Sequence, residues 1–69
     1  MDRKHGKLAL EFANLSLENL VLKSARGYYI GTFDPERGPV SRESEEYWAS
    51  EKLAAHALEA GKWTQKREP

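Results

Sequence analysis

A chain of 69 residues without a single cysteine must hold itself together with one hydrophobic core and no cross-link. Disulfides cannot reinforce it, and thiolate zinc sites, redox motifs and a cysteine nucleophile are excluded with them. A chain this short buries only about 60% of the surface that its unfolded form exposes. Its hydrophobic content of 39% suffices for one core and not for two. We therefore expect one domain over residues 1–69, with residues 1–6 and 65–69 fraying.

Eleven basic and eleven acidic residues cancel. A dedicated nucleic-acid binder carries a strong positive balance, so the total disfavours that partner. The distribution is less even: the first seven residues are net positive, residues 34–51 hold six acids against Arg37 and Arg42, and the last eight are net positive again. An acidic solvated face between basic ends accounts for this pattern. The basic start is followed by Glu11, Asn14, Ser16, Glu18 and Asn19, so it continues into neither a signal peptide nor a membrane span. The expected location is cytoplasmic, with no membrane partner.

The last third reads as a helix over about 51–60. Ser50 is a good N-cap, Glu51 complements the positive end of the helix, and Leu53, Ala54, Ala57 and Leu58 recur at helical spacing. Gly61 stands where a helix ends in the left-handed conformation. Its alanines suggest close approach to a sheet. Before it, Tyr28–Phe33 is rich in strand formers, and Asp34-Pro35-Glu36-Arg37-Gly38-Pro39 is turn chemistry. Val40 to Trp48 reads as a polar outer strand, with Ser41, Glu43 and Glu45 on one face and Val40, Arg42 and Ser44 on the other. The first third has two readings. Leu10, Ala13, Leu17, Leu20 and Val21 fit a helical stripe, whereas Leu8, Leu10 and Phe12 alternate as a strand would. Strands over 7–12 and 19–24 are the preferred reading. The fold class is α+β: an antiparallel sheet of three or four strands with one C-terminal helix packed across it.

Chemistry-bearing residues do not converge in this reading. His56 has Lys52 and Ala60 as its helical neighbours and lacks a second ligand apart from Glu59, while His5 lies near the start. Glu43, Glu45 and Glu46 suggest paired carboxylates, but so small a core can hardly enclose a substrate between them, and a solvated strand edge explains them better. Ser41, Ser44 and Ser50 lack a base at useful spacing, and no glycine-rich phosphate loop occurs. No enzyme activity, metal or cofactor is expected.

The aromatic residues are the remaining signal. Adjacent strand residues point to opposite faces, so Tyr28 and Tyr29 cannot share a core, nor can Tyr47 and Trp48. One member of each pair should be core and the other available for contact. Tyr28, Tyr29, Tyr47 and Trp48, with Arg42, form the candidate interface.

Two resemblances accompany this reading. Strand, turn, strand and then Tyr47-Trp48-Ala49-Ser50-Glu51-Lys52-Leu53-Ala54 is similar to sheet-plus-helix DNA readers of the integrase arm-binding type, although Pro35 intervenes and basic sheet residues are nearly absent. Gly27-Tyr28-Tyr29-Ile30-Gly31-Thr32, Ser41-Arg42-Glu43-Ser44, Tyr47-Trp48 and Gly61-Lys62-Trp63-Thr64-Gln65 resemble small uncharacterised bacterial proteins of plasmids, phages or integrated elements. That resemblance implies a setting and no chemistry. The expected function is a non-catalytic binding module acting through a protein partner or self-association. The alternative is a weak nucleic-acid binder using a sheet face and the basic termini.

Overall fold

The computed structural model describes residues 4–68. Its elements run α1 (Lys7–Ala13), β1 (Leu20–Ser24), β2 (Gly27–Asp34), β3 (Gly38–Arg42) and α2 (Glu51–Ala60). The three strands form one antiparallel sheet in the order β1-β2-β3. An α+β domain with a helix after the sheet is the architecture expected from the sequence.

Local signals place most of it. Ser50 Oγ accepts from the Leu53 N–H at 3.2 Å, and Gly61 closes α2 at φ 69°. Replacing Ser50 by alanine should cost about 1 kcal/mol through the lost cap; an unchanged denaturant midpoint at unchanged slope would show that the hydroxyl contributes nothing. Of the apolar stripe, Ala54 and Ala57 are buried while Leu53 remains 55% exposed. The contact is narrow because methyl side chains let the helix lie close to β1 and β2. In the second hairpin the Asp34 side chain accepts from the Glu36 N–H at 2.8 Å, which turns the chain at Pro35. Val40 is an extra residue in β3, since Thr32 pairs with Ser41 but Phe33 with Pro39.

Residues 7–12 are helical, not the expected strand. Alternation would bury Leu8, Leu10 and Phe12 together, yet Leu10 and Phe12 are 57% and 59% exposed while adjacent Leu8 and Ala9 are buried. The first turn of α1 has no side-chain cap from Gly6. Its Leu8 and Ala9 N–H groups instead donate to the Glu43 carboxylate at 3.0 and 3.1 Å, so a residue at the far end of the sheet closes the helix. At the other end Asn14 adopts the left-handed conformation at φ 56°.

The outer strand is also shorter than expected. It stops at Arg42, where the Glu43 and Ser44 N–H groups both donate to the Ile30 carbonyl at 2.8 and 2.9 Å. Ser44 Oγ then accepts from the Ile30 N–H at 3.0 Å, standing in for a strand carbonyl. The chain leaves the sheet and returns at Trp48, which exchanges two backbone hydrogen bonds with Tyr28 at 2.8 and 2.7 Å. This excursion buries Ser44 and also Glu43, which was expected on a solvated edge.

Within both segments expected to fray, the described residues carry backbone hydrogen bonds. Gly6 is buried, and its N–H donates to the Leu17 carbonyl at 2.8 Å. Residues 64–66 pair antiparallel with 43–45 through Glu45 N–H to Thr64 O at 2.9 Å and Lys66 N–H to Glu43 O at 2.7 Å. Residues 1–3 and 69 of the segments expected to fray lie outside the described residues. Among the described residues no helix is long and apolar enough to cross a membrane.

The apolar core comprises Leu8, Ala9, Ile30, Ala54, Ala57 and Trp63. Complete burial makes Ile30 worth about 1.5–3 kcal/mol. The expectation that one residue of each aromatic pair is core does not hold: Tyr28, Tyr29, Tyr47 and Trp48 are all half-buried. Trp63, beyond the end of α2, fills the interior instead.

Candidate binding face

Cross-strand partners point to the same side of a sheet, so the register sorts the side chains. Val21, Ile30, Thr32 and Ser41 lie on one face. Ile30 and Thr32 are fully buried there, beneath the elements that carry Gly6, Leu8, Ala54 and Ala57. Leu20, Leu22, Tyr29, Gly31 and Arg42 lie on the other face, with Phe33 two residues along β2. Among the described residues no helix covers this second face, and Leu20 and Phe33 on it are each 40% exposed.

The five candidate residues divide between the faces, Tyr28, Tyr29 and Arg42 by strand register and Tyr47 and Trp48 by their contacts. Tyr28 and Trp48 are bridged partners on the helix side, where the Lys23 ammonium lies 5.7 Å from the Tyr28 ring centroid. Tyr29, Tyr47 and Arg42 meet on the open face. The two tyrosine rings pack edge to face, with centroids 6.0 Å apart and planes at 65°. The Arg42 guanidinium carbon lies 4.7 Å from the Tyr47 centroid, its Nη1 donates to the Tyr47 hydroxyl, and its Nε donates to the Ser44 carbonyl at 2.9 Å. An arginine held at two donors and against a ring has little freedom left. No carboxylate forms an ion pair with Arg42 among the described residues.

Gly31 lies in the row between Leu20 and Arg42. A Cβ there would stand 2.8 Å from Cε2 of Tyr29 and 2.3 Å from the Ser41 carbonyl oxygen. Absence of a side chain thus lets the Tyr29 ring lie over the strand beside Arg42. Leu20 and Phe33 complete a surface that is apolar apart from Arg42 and the tyrosine hydroxyls. Inspection of the sequence assigns Arg42 and the two tyrosines to an interface but misses Leu20, because only the β1–β2 register shows that it shares their face.

Burial pushes the Tyr29 phenol above the ordinary value of 10.0; the neighbouring Tyr47 adds to the rise and the Arg42 charge opposes it. A phenol raised in the fold holds its proton longer than in the unfolded chain. Its contribution to stability is therefore full below about pH 10 and is lost as pH rises through the folded value. Tyrosinate absorbance should show one late-ionising group that disappears in Tyr29→Phe; a Tyr29 that ionises at or below the ordinary value would contradict this packing.

A second polar cluster lies on the covered side. The Glu43 carboxylate, fully buried, accepts from Leu8 and Ala9 N–H, from Ser41 Oγ at 2.6 Å and from Gln65 Nε2 at 2.7 Å. Ser41 Oγ in turn lies 2.6 Å from Thr32 Oγ1. Four donors converge on two oxygens, which makes Glu43 a structural acceptor shared by three segments of chain. Its neighbours point elsewhere: Glu45 is exposed, and Glu46 accepts from the Thr64 N–H at 2.9 and 3.0 Å. The three glutamates do not form a carboxylate pair across a cleft. Among the described residues no three histidine, aspartate or glutamate side chains converge as a metal site. Searches against family models, curated proteins and solved structures found none that matches this chain.

Proposed function

We propose that the protein is a non-catalytic binding module that takes a protein partner on the open face of its sheet. The observation that carries this reading is the grouping of Tyr29, Tyr47 and a restrained Arg42 beside exposed Leu20 and Phe33. Tyrosine and arginine are the residue types that dominate binding energy at protein interfaces, and they do so when ringed by apolar contacts that exclude water. Contiguous apolar surface on a small soluble domain marks a contact site. In the setting implied by the resemblance of residues 27–65, such a module would be an accessory of a mobile element.

Leu20 and Phe33 are exposed enough to change without dismantling the core. The double variant Leu20→Ser, Phe33→Ser should keep the wild-type circular dichroism spectrum and lose the protein captured from host extract by the wild type. Leu53→Ser, on exposed α2 surface, should retain it. Capture that survives the double substitution would remove the open face from the function. Sedimentation equilibrium on the same variants separates a partner from self-association, which would appear as a concentration-dependent dimer abolished by the double substitution.

A further inference from the structure

Arg42 combines three properties seldom found together on a surface residue. It is half-buried, it is fixed by bonds to Ser44 and Tyr47, and it has no carboxylate partner among the described residues of a chain containing eleven acids. A guanidinium has five N–H donors. Nε and one hydrogen of Nη1 are engaged within the fold, which leaves donors on both terminal nitrogens. The charge is therefore half-buried, oriented, and without a carboxylate partner among the described residues.

What surrounds it is apolar. Leu20, Gly31 and Arg42 form one row across the three strands, so Leu20 and Arg42 stand two strand spacings apart, about 10 Å. Tyr29 and Tyr47 flank the row on one side and Phe33 on the other. Within the three paired strands Arg42 is the one basic residue on this face, since Lys23 pairs with Tyr28 on the other.

We infer that the open face binds an acidic peptide segment of a partner protein, with one carboxylate on Arg42 and an apolar side chain seated toward Leu20. This inference rests on the binding-face reading above and adds the chemistry of the partner. A carboxylate satisfies the restrained guanidinium with paired, charge-assisted bonds, and the apolar flank excludes water from them. A nucleic acid fits less well, because a phosphate backbone presents charge at every residue and is held by repeated cations. The strands of this face supply one.

The test uses the full chain, immobilised and panned with a phage-displayed library of random peptides. The enriched consensus is synthesised, together with a version in which each Asp and Glu is replaced by Asn and Gln. Both are titrated into isotopically labelled protein and followed by amide chemical shifts, with a single-stranded oligonucleotide as a parallel probe. The expected consensus contains an acidic residue among apolar ones, and its shifts map to β2, β3 and Tyr47. The amide version should bind about tenfold more weakly or worse. Arg42→Gln should bring the acidic peptide down to the affinity of the amide version, with Arg42→Lys falling between; the amide spectrum reports whether each variant is folded.

A consensus without acids that still maps to this face would overturn the role of Arg42 and leave the binding face standing. The same holds for an acidic peptide bound equally well by its amide version, a comparison that needs no change to the protein. Oligonucleotide binding at this face, dependent on Arg42 and tighter than any peptide, would replace the protein partner by a nucleic acid. Enrichment of no peptide, or of peptides whose shifts lie elsewhere, would overturn the face and the inference together.

Discussion

Glu43→Ala should abolish cooperative folding or lower stability by about 5 kcal/mol, the lower end of what a small domain possesses. The side chain is fully buried, and its removal strands the N–H groups of Leu8 and Ala9 and takes the shortest acceptor from the Gln65 amide and one partner from the Ser41 hydroxyl, which keeps Thr32. Each buried donor without an acceptor costs about 1–3 kcal/mol, and partial hydration of the vacated space recovers some of that. Glu43→Gln preserves volume but turns two amide hydrogens toward groups that already donate. It should cost about 1–3 kcal/mol, the value of a hydrogen bond to a charged acceptor compared with a poorer one. Urea unfolding followed by circular dichroism separates the two variants. Loss of less than about 1 kcal/mol in Glu43→Ala would mean that solvent caps α1 as well as the carboxylate does.

Gly31→Ala should be the most damaging change on the open face, at about 3 kcal/mol or more. The backbone at Gly31 is not in the left-handed region, so conformational strain is not the reason. Space is. The new methyl would sit 2.3 Å from the Ser41 carbonyl oxygen and 2.8 Å from Cε2 of Tyr29. The ring can swing aside, but the carbonyl belongs to β3 and moves only with the strand. Displacing Ser41 also pulls on its hydroxyl, which holds Glu43 and Thr32. Denaturant unfolding reads the loss, and the Tyr29–Tyr47 contact should weaken in the ring resonances. A variant within about 0.5 kcal/mol of wild type, as for an ordinary surface change, would show that β3 yields freely at this point.

The parts of the fold legible in the sequence are those whose causes lie within a few residues. Ser50, Glu51 and Gly61 bound α2 correctly because cap and helix are neighbours in the chain. The β2–β3 turn follows from Asp34, Pro35 and Gly38 for the same reason. Misreadings share a different origin. Residues 7–13 are helical with a cap supplied by Glu43, more than thirty positions away. Once that contact is invisible, Leu8, Leu10 and Phe12 look like a strand. Glu43 itself looks like a solvated acid, since nothing near it announces four donors.

The aromatic pairs show the same division within one site. Alternation sends Tyr28 and Tyr29 to opposite faces because it is a local property of the backbone, whereas Tyr47 and Trp48 lie beyond the end of β3 and take their sides from the Tyr29 ring and the Tyr28 bridge. Depth is not local. Trp63 and the small residues of α2 occupy the interior that one tyrosine or tryptophan of each pair was expected to fill. The open face is thus half readable: its polar and aromatic members stand out by type, while Leu20 joins them only through register.

The Glu43 cluster has a consequence for how the chain can be made. Its carboxylate collects donors from residues 8 and 9 on one side and 65 on the other, and residues 64–66 pair with 43–45 beside it. During synthesis the residues up to Asp34 can form the β1–β2 hairpin, but α1 has to wait for β3 and Glu43. Yet one of the four bonds, and the strand-like segment that shields the carboxylate, arrive only when Gln65 has left the ribosome. The domain therefore has little to gain from folding in stages, and residues 64–66 act as a bolt drawn across segments made long before them.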